Sequence, residues 1–102
     1  MIARVWRGWT IPANADAYEN LLRTTILPGI HRVAGYKGAQ LLRADTPDEV
    51  EFVTITYFES MDAVQVFAGD HREGAVVIPE ARALLAHFDQ TSLHYEVAAS
   101  IE

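Results

Sequence analysis

Apolar and polar residues alternate in four stretches of the chain, and this period of two predicts β-strands over residues 2–9, 36–43, 50–58 and 91–98. Each stretch is rich in β-branched or aromatic side chains and is bounded by turn-forming residues, as strands usually are. The tetrapeptide Asp45-Thr46-Pro47-Asp48 has the composition of a turn. Because this connection is short, the second and third strands are predicted to form a hairpin.

Apolar residues at helical spacing predict a first helix between the first two strands. These residues are Tyr18, Leu21, Leu22, Thr25 and Ile26. Asn14 is the predicted N-cap of this helix. The helix is expected to break or kink at Pro28-Gly29, because proline lacks the backbone N–H that a helix interior needs. One further turn is expected before Gly35.

Two further helices are predicted after the hairpin. The first has Ser60 as its N-cap and Gly69 just beyond its end. The second begins at Pro79, since proline is favoured in the first turn of a helix. Its apolar stripe consists of Ala81, Leu84, Leu85 and Phe88. Residues 70–78, between the two helices, fit a continued helix as well as an extended segment.

The resulting order of elements, β-α-β-β-α-α-β, predicts an α+β fold. The simplest arrangement is one ferredoxin-like βαββαβ domain, residues 1–102, with an extra short helix and a four-stranded antiparallel sheet. In the third strand both alternating sets of residues are apolar enough to need cover. Because the helices cover only one face of the sheet, a second copy of the sheet is expected on the other face, which predicts a homodimer.

Composition narrows the range of functions. The net charge of −6 and the scattered basic residues argue against binding to nucleic acid, which needs a clustered basic surface. The chain has no cysteine, and its four histidines lack the spacing of a zinc motif, so we expect no metal site. No basic region followed by an apolar run marks a secretory signal, and no apolar stretch approaches about 20 residues. A cytoplasmic protein that does not enter membranes is therefore expected.

Five segments of the chain carry a resemblance to a known family. They are the opening ten residues Met-Ile-Ala-Arg-Val-Trp-Arg-Gly-Trp-Thr, Val50–Thr54, Phe67–Asp70, Pro79–Arg82 and His94–Val97. Together they resemble the antibiotic biosynthesis monooxygenase domain family, whose members are small dimeric α+β-barrel proteins. The resemblance extends over essentially the whole chain. It implies a ligand pocket between the sheet and the helices of each subunit.

The resemblance also implies a choice between two chemistries. Some relatives oxidise phenols, anthrones or quinols with O₂ and use neither metal nor flavin. Another branch binds and degrades haem with an asparagine on the first strand, a tryptophan on the helix after the third strand and a histidine just beyond it. This chain has Arg7, Phe67 and a residue near Val77 at those positions. His71 lies about one turn before the expected haem ligand, so haem binding is the less favoured alternative.

Cofactor-free oxygenation of a small aromatic substrate needs a base, a group that stabilises the substrate anion and an apolar pocket. Arg7 is the candidate for holding the anion, because a cation in mid-strand suggests a partner. Its structural alternative is an ion pair with Glu51 or Glu96. His94 and His71 are the candidate bases, since imidazole titrates near neutral pH. The sequence leaves open which face of the sheet His94 occupies. The alternative to a catalytic role is a buried, hydrogen-bonded structural histidine for His94 and an exposed surface histidine for His71.

Four aromatic residues are candidates for binding the substrate: Trp6, Trp9, Tyr57 and Phe67. Aromatic residues at such positions are also common in plain hydrophobic cores. The sequence thus leaves two main hypotheses, a cofactor-independent monooxygenase that acts on an aromatic substrate with O₂ and a non-catalytic dimer that binds a small molecule. It does not identify the substrate.

Overall fold

One antiparallel sheet organises the chain in this computed structural model, which describes residues 1–69 and 77–101 and omits the side chain of His31. Its strands within these residues are β1 (Ile2–Thr10), β2 (Tyr36–Asp45), β3 (Val50–Phe58), β4 (His87–Phe88) and β5 (Leu93–Glu96). The spatial order is β2-β3-β1, and β1 pairs on its other side with both β4 and β5. This is the α+β, ferredoxin-like arrangement that the sequence predicts, with the first and last strands adjacent.

The β2–β3 hairpin closes at the predicted turn. The backbone N–H of Thr46 donates to the carbonyl of Glu49 at 3.0 Å. The hydroxyl of Thr46 accepts a hydrogen bond from the backbone N–H of Glu49 at 3.1 Å. Such side-chain hydrogen bonds stabilise tight turns, and they fix the register in which Thr54 of β3 faces Leu41 of β2.

The first helix is longer and less regular than predicted. It begins as α1 (Pro12–Leu21), continues as a π-helical turn (Leu22–Ile26) and ends in α2 (Leu27–Gly29) and a 3₁₀ turn (Ile30–Arg32). The irregularity thus starts at Leu22, before Pro28, which lies in the first turn of α2 where no N–H is needed.

The prediction that Asn14 caps this helix is wrong. Ile11 occupies the N-cap position, and no side chain caps the helix. Pro12 at the first helical position makes the cap less important, because its ring presets the helical φ. Asn14 instead lies inside α1, where its side-chain amide donates to the carbonyl of Leu84 at 3.3 Å.

The two later helices begin as predicted, at α3 (Met61–Ala68) and α4 (Pro79–Leu84). The Ser60 hydroxyl accepts from the Ala63 N–H at 3.3 Å, and Gly69 ends α3 with a φ of 76°. The prediction that α4 continues to Phe88 is wrong, because the chain turns extended at Leu85. Residues 87–88 then pair with β1 as β4, which adds a short fifth strand to the predicted four.

The helices cover one face of the sheet. Tyr18, Leu22 and Phe52 belong to one buried cluster on this face, and Phe58 and Val64 belong to a second. The opposite face, which we call the outer face, carries Ala3, Val5, Ile55 and Tyr57. In the part of the chain that the structure describes, no helix is both long and apolar enough to cross a bilayer.

Candidate active site

A cavity of about 350 Å³ lies between the sheet and the helices. This volume is near the lower end of the roughly 300–1,000 Å³ that small-molecule sites usually occupy. Most of its wall is apolar, and the part formed by the helical segments and the approach to α4 includes Leu22, Ile26, Leu27, Ile30, Val77 and Ile78. The space suits a small aromatic molecule.

The π-helical turn shapes this wall. The backbone N–H of Leu27 reaches the carbonyl of Leu22, five residues back, so this turn is wider than an α-helical turn. The hydroxyl of Thr24 also donates to the carbonyl of Asn20 at 2.7 Å, a side-chain hydrogen bond that often bends helices. Thr25 and Ile26, which belong to this turn, line the cavity.

Among the described residues of the cavity wall, the one that is charged at neutral pH is Arg4. It lies in the middle of β1, directly opposite Thr56 on β3 and His94 on β5. The residue is only 4% exposed. Burial lowers the pKa of its guanidinium below the ordinary value, yet an arginine stays protonated throughout the neutral range. The cavity therefore has a cation at its sheet side.

Within the described part of the chain, two contacts of the Arg4 guanidinium are resolved. Its Nη1 lies 2.8 Å from Nε2 of His94, and its central carbon lies 5.6 Å from the centroid of the Phe67 ring, a cation–π geometry. Because a guanidinium can only donate, Nε2 of His94 is the acceptor in this hydrogen bond. The imidazole is then neutral, and its proton is on Nδ1.

Three residues with hydroxyl groups line the cavity together with Arg4. Thr54, Thr56 and Ser92 all contribute to the cavity wall. The Thr54 hydroxyl is buried and makes no hydrogen bond to any of the described residues. A buried polar group without a partner is unfavourable, so a ligand oxygen or a water molecule that reached Thr54 would satisfy it.

Tyr18 of α1 is a second titratable residue in the cavity wall. Burial raises the pKa of its phenol to about 12. The phenol therefore stays protonated at neutral pH, and it can donate a hydrogen bond but cannot act as a base. Its ring packs edge-on against Phe52, with 4.8 Å between the centroids.

The structure brings three of the predicted site residues to or beside the cavity. Trp6 lines the wall, where its indole N–H donates to the carbonyl of Asp89 at 2.7 Å. Phe67 also lines the wall. His94 reaches the site through its hydrogen bond to Arg4, because Leu93 and Tyr95 point to the outer face. This settles the orientation of His94 that the sequence left open.

Three other predicted residues lie on the outer face, away from the cavity. Arg7 forms an ion pair with Asp89 at 3.0 Å. Its partner is neither of the glutamates that the sequence suggested. Trp9 stacks on His87, with 4.5 Å between the ring centroids, and the Tyr57 hydroxyl donates to Gln40 at 2.7 Å. Arg7 and His94, the candidate anion holder and base, therefore do not share a pocket, because Arg7 on β1 lies on the outer face and His94 on β5 lies on the face that the helices cover.

His71 falls outside the described residues, so its predicted role as a base stays a prediction. Of the three positions aligned with the haem-binding residues, Phe67 and Val77 line the cavity and Arg7 does not. Within residues 1–69 and 77–101, no group of three or more histidine, aspartate and glutamate side chains could hold a metal ion.

Sequence reasoning missed Arg4, although a signal for it was present. Arg4 shares its alternating set with Trp6, which was a predicted pocket residue, whereas Arg7 shares its set with Ala3 and Val5. Each of the two faces of β1 thus carries one arginine among largely apolar residues. The choice between Arg4 and Arg7 as the cavity residue therefore required knowing which face of the sheet the helices cover.

Comparison with known proteins gives a family match over most of the chain. Residues 1–71 match the family model described as antibiotic biosynthesis monooxygenase. No curated protein sequence matches this chain at a significant level.

Several solved structures share the fold. The haem degrader MhuD from Mycobacterium tuberculosis, with two haems bound in its active site, superposes with a TM-score of 0.65 at 21% identity, covering 100% of both chains. SnoaB, a cofactor-independent oxygenase from Streptomyces nogalater, has a TM-score of 0.60 at 20% identity, covering 98% of this chain and 95% of that one. A structure described as an antibiotic biosynthesis monooxygenase has a TM-score of 0.68 at 16% identity, covering 97% of this chain and 100% of that one. At such identities the likeness shows the fold.

Proposed function

This chain belongs to the antibiotic biosynthesis monooxygenase family, and we propose that it is a cofactor-independent monooxygenase that oxidises a small aromatic substrate with O₂. The substrate class is a quinol, a phenol or a polyketide-type aromatic such as an anthrone. The observation that carries the proposal is a buried cation, Arg4, at the sheet side of an apolar cavity of about 350 Å³.

Arg4 is suited to the step that makes such a substrate reactive. An anthrone or phenol must lose a proton before it can donate an electron to O₂. Water that enters the cavity takes this proton, because the described residues of the wall include no carboxylate and no imidazole. A cation in a site of low polarity stabilises the anion that results. The electron transfer gives a substrate radical and superoxide, which combine at carbon and take up a proton to form a hydroperoxide. Loss of water from a hydroperoxide at a former CH₂ group leaves a carbonyl, so that R₂CH₂ and O₂ give R₂C=O and H₂O.

His94 has a different role in this proposal from the base that the sequence suggested. Its Nε2 accepts the hydrogen bond of Arg4 at 2.8 Å, so that nitrogen could take a proton only by giving up this contact. We therefore assign His94 as a positioning residue that holds the guanidinium toward the cavity. Trp6 and Phe67 flank the same space and would contact the rings of the substrate.

Oxygen uptake tests the proposal. Wild-type protein is incubated with anthrones, hydroquinones and naphthols in the presence of a metal chelator and without flavin. Uptake with at least one of them is expected, and Arg4→Met should slow it by about 100-fold or more, the usual effect of removing an anion-stabilising group. Arg23→Met, which removes the same charge from an exposed helix position, is the matched control.

Isotope labelling separates oxygenation from simple oxidation. With ¹⁸O₂ and an anthrone, one labelled oxygen is expected in the ketone product, because the carbonyl oxygen comes from the hydroperoxide. Unlabelled product together with hydrogen peroxide would indicate an oxidase. No uptake across the panel by folded protein would contradict the proposed activity.

A non-catalytic module that binds a small molecule is the second candidate. The observation that favours it is the composition of the wall, because the described residues that line the cavity include no carboxylate and no imidazole. Binding of aromatic ligands with no oxygen uptake by the same preparation would support this alternative.

We further propose that residues 1–102 form one domain and assemble as a homodimer through the outer face. Leu93 and Tyr95 are 51% and 54% exposed there, and Leu42 is 47% exposed, so this face has apolar area without cover in a single chain. Light scattering should give twice the mass of one chain. Leu93→Glu should reduce the measured mass to that of a single chain. A wild-type protein that is monomeric in solution would contradict the proposed homodimer.

A further inference from the structure

The phenol of Tyr18 lies in the cavity wall on the helical side. Tyr18 belongs to α1 and is only 1% exposed. Its ring is held by edge-on packing against Phe52, with 4.8 Å between the centroids, and the residue lines the cavity. A phenylalanine would make the same ring contact, so the packing alone does not account for the hydroxyl group.

The hydroxyl of Tyr18 makes no hydrogen bond to any residue in the described part of the chain. Burial raises the pKa of this phenol to about 12, so the hydroxyl keeps its proton at neutral pH. Buried hydroxyl groups are nearly always hydrogen-bonded, and one without a partner is unfavourable. Because Tyr18 lines the cavity, a molecule inside the cavity can supply the missing partner.

Tyr18 and Arg4 face different parts of this space. Tyr18 packs on Phe52 of β3, whereas Arg4 makes its resolved hydrogen bond to His94 of β5. β3 and β5 flank β1 on opposite sides, so they lie about 10 Å apart at a spacing of about 4.8 Å per strand. A ligand that fills the cavity therefore meets the two groups at different positions on its body.

We propose that Tyr18 is a specificity-determining residue, whose phenol O–H donates a hydrogen bond to a carbonyl oxygen of the substrate that lies apart from its acidic group. This inference deepens the proposed oxygenase function and rests on it, because it narrows the substrate class to fused-ring aromatics that carry a ketone. A carbonyl is the simplest complement to the phenol, since its oxygen only accepts, whereas a ligand hydroxyl would add a further donor to be satisfied.

Two ligands that differ only in the carbonyl test this inference. 6-Hydroxy-1-tetralone carries a phenol and a ketone on two fused rings, and 5,6,7,8-tetrahydro-2-naphthol has the same skeleton and phenol without the ketone. Calorimetric titrations are run without O₂, so that neither ligand is turned over. Tyr18→Phe should weaken the binding of the ketone by about 3- to 10-fold, the effect of losing one neutral hydrogen bond, and should leave the binding of the other ligand unchanged.

Infrared spectroscopy reports the hydrogen bond itself. With ¹³C at the carbonyl of the ketone, the C=O stretch should lie at higher wavenumber in Tyr18→Phe than in wild-type protein, because a hydrogen bond weakens the C=O bond. Tyr95→Phe is the matched control, since it removes the same hydroxyl group from the outer face, where Tyr95 is 54% exposed. It should change neither the affinities nor the stretch. Circular dichroism verifies that each variant is folded.

The outcomes separate this inference from the proposed function. Equal effects of Tyr18→Phe on the two ligands, or no effect on either, would overturn the inference. A wild-type C=O stretch no lower than that of the same ionisation state in an aprotic solvent would overturn it even if Tyr18→Phe did not fold. Selective loss of ketone binding without oxygen uptake across the aromatic panel would support the hydrogen bond from Tyr18 and refute the oxygenase. Oxygen uptake together with equal effects on the two ligands would do the reverse.

Discussion

Replacing Gly35 with alanine should strongly destabilise the protein, because two independent restraints meet at this glycine. Gly35 has a φ of 85°, which L-residues rarely adopt. A Cβ at this position would lie 2.6 Å from Cβ of Ala63 on α3. Both atoms are fixed directly to backbone, so no side-chain rotation can relieve the clash.

The size of the effect follows from adding the two terms. The left-handed conformation costs alanine about 1–2 kcal/mol, and overpacking of this kind typically costs about 1–3 kcal/mol. The free energy of unfolding should therefore fall by about 2–5 kcal/mol. This is a large part of the roughly 5–15 kcal/mol that stabilises a typical domain.

A double-mutant cycle isolates the clash from the backbone term. Ala63→Gly removes the Cβ that Gly35→Ala would contact, and alone it should cost about 1 kcal/mol as a glycine in a helix. Urea unfolding followed by circular dichroism gives the four free energies. The double variant should be more stable than the sum of the single effects predicts, by about 1–3 kcal/mol. Strict additivity would refute the reasoning.

The same variant should affect the cavity. The backbone N–H of Glu59 donates to the carbonyl of Gly35 at 2.7 Å, which holds the start of α3 against the turn before β2. Because α3 carries Phe67 to the cavity wall, a displaced α3 should weaken the binding of 4-nitrophenol. Ala63→Gly in the same chain should restore part of this affinity.

Four other predictions concern single side chains. His94→Leu should weaken the binding of 4-nitrophenolate, an aromatic anion, by about 10- to 100-fold in a spectroscopic titration, because Arg4 then loses a hydrogen bond to its charged group. His94→Gln still offers an acceptor to Arg4 and should recover much of this affinity. Burial raises the pKa of Tyr18 from 10.0 to about 12, so its contribution to stability is complete below pH 10 and is lost as the pH rises through 12. That loss amounts to about 2–3 kcal/mol, and Tyr18→Phe should flatten the decline in unfolding experiments. Arg7→Met should leave 4-nitrophenol binding and oxygen uptake unchanged, since Arg7 lies on the outer face, and a loss of either would place the anion site there. Added haem should give no Soret shift that disappears in His71→Ala, because Arg7, Phe67 and a residue near Val77 stand where the haem-binding relatives have asparagine, tryptophan and histidine. A Soret shift that is lost in His71→Ala would instead support haem binding.

The fold could be predicted from the sequence because its main signals are local. β-branched and aromatic residues mark β3, and turn-forming residues mark the connection at residues 45–48. Helix starts at Ser60 and Pro79 were predictable for the same reason. The end of α4 could not be predicted, because residues 87–88 leave the helix to pair with β1. The backbone hydrogen bonds that hold this segment join residues far apart in the chain, and one of them runs from the Ala86 N–H to the Trp9 carbonyl at 2.7 Å.

The site was less predictable than the fold, because it depends on which of the two alternating sets of side chains in each strand faces the helices. A shift by one residue moves a side chain to the other face of a sheet. Where both faces are apolar, as here, the sequence does not identify which face the helices cover. The prediction for Trp6 therefore agreed with the cavity and the prediction for Arg7 did not, although both residues lie on β1.

The place of β1 in the sheet contributes to the burial of a cation in this cavity. Burying a charge is unfavourable unless hydrogen bonds compensate for it. Because β1 lies between β3 and β5, Arg4 has a cross-strand neighbour on each side, and His94 on β5 supplies the acceptor. The first and last strands, 90 residues apart at this contact, must therefore pair before the guanidinium is oriented. The proposed oxygenase site should thus form only with the complete sheet, and a variant that loosens β5 should lose oxygen uptake even while the β2–β3 hairpin and the helices remain folded.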